Sequence, residues 1–378
     1  MPTKREYILI FSVVAVMLVY FVVATPVMTD DGFQYEGFTE SLAHGKLDFK
    51  SFYGFQGLSF FAVLVFWLTR SHGSIIITSA IFSLLSIPLA YSIGKTLYQS
   101  SRAGVYFLIL FLLTPYPYTT MMRGFQEAAL LFFILLIIYS SLNKKAWAPV
   151  AWAVGGIVKP FALVLFPLFW KESLGSRASK WDRAFILLAF LVGGVYLGVS
   201  YYQTGHLVNN AAINSYQGNF DTGNPPPLIK SFTIGIKGPL RIGANLFLAY
   251  RKIMVSPFLI LVGLWMLWKD KTFKYRNVFI YSIILNFILL SLMTFSFSKY
   301  LLSATTLISF AAIPFIMKHK WAMFVFFVDS ITVFLPIWNY FGHNYWSNIY
   351  VYLLPFWLGI VLFSYERLFA KHNFSPNS

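Results

Sequence analysis

Apolar runs of about 20 residues recur along the whole chain, each of the length that crosses the hydrocarbon core of a bilayer as a helix. They constrain the chain to an all-α, polytopic membrane fold. Only 11% of the residues are charged, against about 25% in a soluble domain. Lipid therefore replaces water around most of the surface, and core size does not limit stability. The net charge of +16 invites a nucleic-acid partner. The Lys and Arg residues, however, sit in short loops between apolar runs, which fits anionic headgroups and topology signals and argues against nucleic acid. The chain has no cysteine, which excludes a disulfide, a thiolate nucleophile and a thiolate metal site.

Charge placement orders the runs. Lys4 and Arg5 precede an apolar stretch from Tyr7 to Ala24, longer than a signal-peptide core and followed by many more runs, so it reads as an uncleaved first span with a cytoplasmic N-terminus. The run from Gly57 to Thr69 has 13 residues and suits an interfacial or re-entrant helix. Further spans are expected over about Ser74–Gly94, from Ala103 to the turn at Pro115, from Phe125 to Lys144, and over Ala184–Tyr202, 253–268, 278–297, 300–317, 321–338 and 350–365. The run from Ala146 to Trp170 carries Lys159-Pro160 at its middle. A lysine in hydrocarbon is costly and proline donates no backbone hydrogen bond, so this run splits into two short helices with Lys159 at an outer turn. A long outer loop, about Gln203 to Lys252, contains Pro225-Pro226-Pro227 and a basic amphipathic stretch from Ile229 to Arg251 that suits an interfacial helix. The result is about 12 membrane helices in one integral domain, 1–378, divided into 1–203, the loop 204–252 and the C-terminal spans 253–378, with both termini cytoplasmic.

The acids are unevenly placed. Of 13 Asp and Glu, five fall between residues 30 and 48: Asp30, Asp31, Glu36, Glu40 and Asp48. In this topology Asp30, Asp31, Arg123, Glu127, Lys159, Lys299 and Tyr300 share the outer face. Carboxylates and cations at one depth suit an anionic substrate: cations hold a phosphate, and a carboxylate acts as base or binds a metal. Each residue also has a plainer reading. Asp30-Asp31 can be a helix N-cap pair, Arg123 and Lys299 can snorkel to headgroups, and His44 and His206 are lone surface histidines. Asp329, inside an apolar run, is functional by default or pairs with a neighbouring helix.

Asp30-Asp31-Gly32-Phe33-Gln34-Tyr35 after the first span, followed by Ala43-His44-Gly45, resembles the first-loop acidic motif of the GT-C superfamily, polytopic glycosyltransferases that use polyprenyl-phosphate sugars. Arg123-Gly124-Phe125-Gln126-Glu127 resembles the family's second acidic outer loop, Val158-Lys159-Pro160 its lysine turn, and Lys299-Tyr300-Leu301-Leu302 a basic-tyrosine motif before a late span. The resemblance covers most of the first 300 residues in order. It implies a membrane glycosyltransferase with its active site on the outer face, near the mannosyl or aminoarabinosyl members. Asp30 or Asp31 would be the base, Glu127 the second-motif acid, and Arg123, Lys159, Lys299 and Tyr300 the phosphate-binding set. A divalent metal (Mg or Mn) would rest on Asp31 and Glu127. The implied partners are a polyprenyl-phosphate-linked sugar donor, a glycan, lipid or protein acceptor, and membrane lipids. The second loop has Gln126-Glu127 and not an Asp-Asn-Glu run, and no large soluble domain follows, which argues against protein N-glycosylation. The same charges would also suit a non-enzymatic transporter or flippase of a lipid-linked glycan.

Overall fold

The computed structural model describes residues 3–23, 28, 30–52, 55–70, 72–114, 121, 124–173, 179–205, 256–291, 301–319, 321–331 and 357–364. Arg123, Lys299, Tyr300, His206 and almost all of the expected outer loop lie outside them, as does the side chain of Asp30. Every regular element among the described residues is helical. In chain order they are α1 (Lys4–Val23), α2 (Asp30–Ala43), α3 (Gly57–Thr69), α4 (Ser74–Tyr98), α5 (Ser101–Leu112), α6 (Gln126–Leu142), α7 (Ala148–Val158), a 3-10 segment (Pro160–Leu165) and α8 (Phe166–Ser173). After these come α9 (Lys180–Thr204), α10 (Pro257–Lys269), α11 (Arg276–Ser291), α12 (Leu302–Lys318) and α13 (Trp321–Ile331), with a last helix at 357–364. By length and composition α1, α4 and α9 can each cross a membrane, and the remaining apolar helices run 10–17 residues.

The 13-residue run expected to stand apart is α3, with the expected bounds. The run from Ala146 to Trp170 breaks at Lys159, as the proline requires. Lys159 is extended (φ −157°, ψ 140°) and Pro160 opens the 3-10 segment. The chain then folds back antiparallel. Trp152 Nε1 donates to the Leu163 carbonyl at 3.1 Å, while a Cβ on Gly155 would touch Ala162 Cβ at 3.0 Å and one on Gly156 would strike Leu163 Cδ2 at 2.4 Å. The two glycines allow the arms of this hairpin to lie that close.

Helix α6 is apolar all round and buried on all sides, so it forms the axis of the bundle, with α4, α7, α8 and the 3-10 segment around it. Helices α1 and α9 show most of their apolar side chains to the outside, as lipid-facing helices do. In the C-terminal half α10 crosses α12 with Gly263 at the contact, where a Cβ would lie 2.2 Å from the Ile308 carbonyl oxygen. Backbone cannot yield as a side-chain tip does, so Gly263→Ala should cost about 1–3 kcal/mol. Thermal unfolding in detergent measures this, and an unchanged midpoint would contradict the close crossing. Asp329, read from the sequence as an intramembrane acid, sits on α13 and caps α10: it accepts hydrogen bonds from the Ser256 hydroxyl and, at 2.8 Å, from the Phe258 N–H.

The helix ends sort into two sets. At one end of the bundle Lys95 of α4 bonds both carboxylate oxygens of Glu6 of α1, at 2.8 and 2.9 Å, and Ser101 of α5 also donates to Glu6. Thr3 and Glu6 form a reciprocal cap on α1 (Thr3 N–H to Glu6 Oε2 2.6 Å; Glu6 N–H to Thr3 Oγ1 3.3 Å). The other end gathers α2, the N-termini of α3, α4 and α6, the C-terminus of α7 and the last third of α9.

Candidate functional site

The second end holds the polar residues. Gly124 adopts a left-handed conformation (φ 66°), and a Cβ there would meet Ile75 Cγ2 at 2.9 Å, so only glycine brings the chain this close to α4 before α6 begins. Ser79 of α4 donates to the Phe125 carbonyl at 3.3 Å, and α6 opens with Gln126 and Glu127 in its first turn. Lys159, at the C-terminus of α7, reaches back to Glu127 as a buried ion pair; Glu127 is 1% exposed and Lys159 9%. Of the residues expected at the site, these are the two whose side chains are described in contact. They are 32 positions apart in the chain and join because α6 and α7 are antiparallel neighbours. A cation and a carboxylate can be buried together where either alone would be costly.

The acidic first loop separates by role. The Glu36 carboxylate, also buried, caps α4: it accepts from the Ser74 hydroxyl at 2.6 Å, the Ser74 N–H at 3.3 Å and the Ile75 N–H at 2.9 Å. Two of the free N–H groups at that helix start are thereby engaged and the N-terminal dipole is met by a negative charge. Glu40 pairs with His72. Asp48 closes the turn to Ser51, accepting from its hydroxyl at 2.5 Å and its N–H at 3.1 Å, and from the Lys50 N–H at 3.0 Å. The Ser51 hydroxyl, with these two N–H groups, holds the Asp48 carboxyl below the usual carboxylate range. Three of the five acids thus shape the loop. The other two, Asp30 and Asp31, lie in the first turn of α2, with Asp31 partly exposed. The backbone of both is helical. His44, expected at the surface, is exposed.

Several contacts at this end involve residues to which the sequence assigned no role. The segment Phe55-Gln56-Gly57 passes directly over the hairpin turn, where a Cβ on Gly57 would lie 2.4 Å from Val158 Cα. Gln126, fully buried, donates its side-chain amide to the Phe55 carbonyl, and the Gln56 N–H donates to the Tyr196 hydroxyl of α9 at 3.2 Å. Helix α12 docks on the same hairpin, where the Ser303 hydroxyl donates to the Phe161 carbonyl at 2.6 Å, and on α11, where Asn286 Oδ1 accepts from the Ala304 N–H at 3.0 Å. An apolar cleft lies between α5, α6 and α12, lined by Phe107, Phe111, Leu131, Leu135 and Leu302, with Thr305 and Thr306 at its wall. Leu131 is one helical turn along α6 from Glu127, so the cleft leads away from the ion pair.

No family model and no curated protein matches this chain. Among solved structures it is similar to ArnT from Cupriavidus metallidurans bound to undecaprenyl phosphate, with a TM-score of 0.59 at 13% identity over 98% of this chain and 73% of that one. It is also similar to ArnT from Cupriavidus metallidurans in the apo state, with a TM-score of 0.53 at 12% identity over 83% of this chain and 61% of that one. The chain shares its polytopic, all-helical fold with these ArnT structures. At these identities the likeness is one of fold.

Proposed function

On a GT-C scaffold, we propose that this chain is a membrane glycosyltransferase that moves a sugar from a polyprenyl-phosphate donor to an acceptor hydroxyl at the outer membrane face. The observation that carries the reading is the buried Glu127–Lys159 pair, set at the end of the bundle that also holds the acidic first turn of α2. One of the solved relatives is bound to undecaprenyl phosphate, which supports a lipid phosphate as the partner here.

In this reading the donor's isoprenoid tail stays in lipid and its phosphate reaches the helix ends. Asp30 or Asp31 takes the proton of the acceptor hydroxyl, and the oxygen attacks the anomeric carbon. The bond from that carbon to the phosphate oxygen breaks, and its electron pair leaves with the polyprenyl phosphate. The reaction parallels an inverting glycosidase, in which a carboxylate activates water in the same way. Negative charge grows on the departing phosphate, and Lys159, Arg123 and Lys299, with Tyr300 as hydrogen-bond donor, stabilise it. Glu127 holds the Lys159 ammonium in place as its buried counter-ion.

A divalent metal fits this donor set poorly. Glu127 already holds an ammonium through one carboxylate oxygen, and among the described residues no three His, Asp or Glu side chains converge. No step here runs through a metal.

The test uses the purified chain in liposomes with radiolabelled polyprenyl-phosphate mannose or polyprenyl-phosphate aminoarabinose and a cell-envelope extract as acceptor. Release of polyprenyl phosphate with label passing to the acceptor is expected. Passage of the intact donor across the bilayer, with no cleavage of the sugar–phosphate bond, would sink the reading in favour of a transporter. Orientation has its own check in this cysteine-free chain. A membrane-impermeant maleimide should label Lys46→Cys in intact cells and Lys145→Cys only after permeabilisation. The reverse pattern would place the site on the cytoplasmic face.

A further inference from the structure

We propose that Tyr196 and Gln203 of α9 are positioning residues: together they form a clip that fixes the acidic first loop against the Glu127–Lys159 pair. Gln203 grips the loop twice. Its Oε1 accepts from the Phe49 N–H at 2.9 Å, and its Nε2 donates to the Leu47 carbonyl at 2.7 Å. Two turns earlier on the same helix, the Tyr196 hydroxyl accepts from the Gln56 N–H at 3.2 Å. The Tyr196 ring meets Phe49 edge-on (centroids 5.4 Å apart, 89°) and Phe60 at 6.1 Å, in a small aromatic core with Phe38 and Phe52 that is separate from the main one.

These contacts share one geometry. All three hydrogen bonds from α9 go to backbone groups of residues 47–56, so they fix the path of the chain whatever side chains it carries. That path ends at Gly57, pressed on Val158 beside Lys159. It begins just past the C-terminus of α2 at Ala43, and the other end of that helix carries Asp30 and Asp31 in its first turn. Helix α9 is otherwise a peripheral, lipid-facing helix that packs on α7. Lipid contact alone would be served by any apolar side chain at 196 and 203. A misplacement of about 1 Å at a reacting group costs on the order of 100-fold in rate, so a support of this kind matters to a base on α2.

This inference rests on the transfer reading above, and the experiment separates the two. Hydrogen exchange of peptides spanning residues 47–57 is measured for the wild type, Tyr196→Phe, Gln203→Leu and the double variant in detergent or nanodiscs. Tyr196→Phe keeps the ring in the aromatic core, so the fold survives. The amides of Phe49 and Gln56 should exchange at least about tenfold faster in the double variant. In the transfer assay kcat should fall about 10- to 100-fold with KM for the polyprenyl-phosphate donor nearly unchanged. Gln203→Glu retains the acceptor for the Phe49 N–H and should restore part of both. Unchanged exchange overturns the clip. Faster exchange with an unchanged kcat overturns its positioning role. If the wild type transfers no sugar, the functional reading falls while the exchange data still decide whether the clip exists.

Discussion

Lys159→Met should destabilise the protein by about 3–5 kcal/mol, because it leaves the Glu127 carboxylate buried at 1% exposure without its ammonium. Methionine fills nearly the same space as the lysine stem, so the loss reports the charge and not a cavity. Glu127→Gln should cost less, since Lys159 sits nearer the surface and an amide oxygen can still accept from it. The double variant Glu127→Gln/Lys159→Met should recover most of the stability, because two neutral groups of similar shape replace two charges. Thermal or denaturant midpoints of the four proteins form a double-mutant cycle that isolates the pair. A double variant as unstable as the sum of the singles would show that the two residues do not interact. Sugar transfer should fall sharply in both Lys159→Met and the rescued double variant, which separates folding from the phosphate-binding role.

The second large effect concerns α2. Asp30 and Asp31 are consecutive in a helix, so their positions fall about 100° apart around its axis. One of them can face the acceptor hydroxyl. Asp30→Asn and Asp31→Asn should therefore be unequal: one lowers kcat by about 100- to 10,000-fold, the usual contribution of a general base, and the other has a small effect. Stability should drop by less than about 1 kcal/mol in either, the scale of a surface acid in the first turn of a helix. Full transfer by both single variants and by the double variant, with label counted on the acceptor, would remove the base from α2 altogether.

How far the sequence was legible depended on whether a residue's cost could be judged locally. Lys159-Pro160 broke an apolar run because proline lacks an N–H, and that reason holds whatever surrounds it; the hairpin is there. Gly57–Thr69 was bounded by its own length and flanks, and α3 has those bounds, with Arg70 in a left-handed conformation ending it. The roles within the acidic loop were not legible. Composition treats Glu36 and Asp31 alike, and the difference arises only when the first turn of α4 comes within reach of Glu36, 38 residues away. The same holds for Asp329, whose partners lie 71 and 73 residues back. Tyr196 and Gln203 carried no signal, since Tyr and Gln are ordinary residues near a membrane boundary and their bonds go to backbone.

The contact between Glu6 and Lys95 has a consequence in time. The two are separated by 89 residues, so during synthesis α1 enters the membrane well before α4 and α5 exist. At translation rates of about 5–20 residues per second the wait is on the order of ten seconds. For that interval Glu6 has neither its lysine nor its serine. Its position in the first turn of α1, bonded to Thr3, lets water at the headgroups serve as a temporary partner. The later arrival of Lys95 and Ser101 then displaces that water and fastens the first helix to helices made long after it.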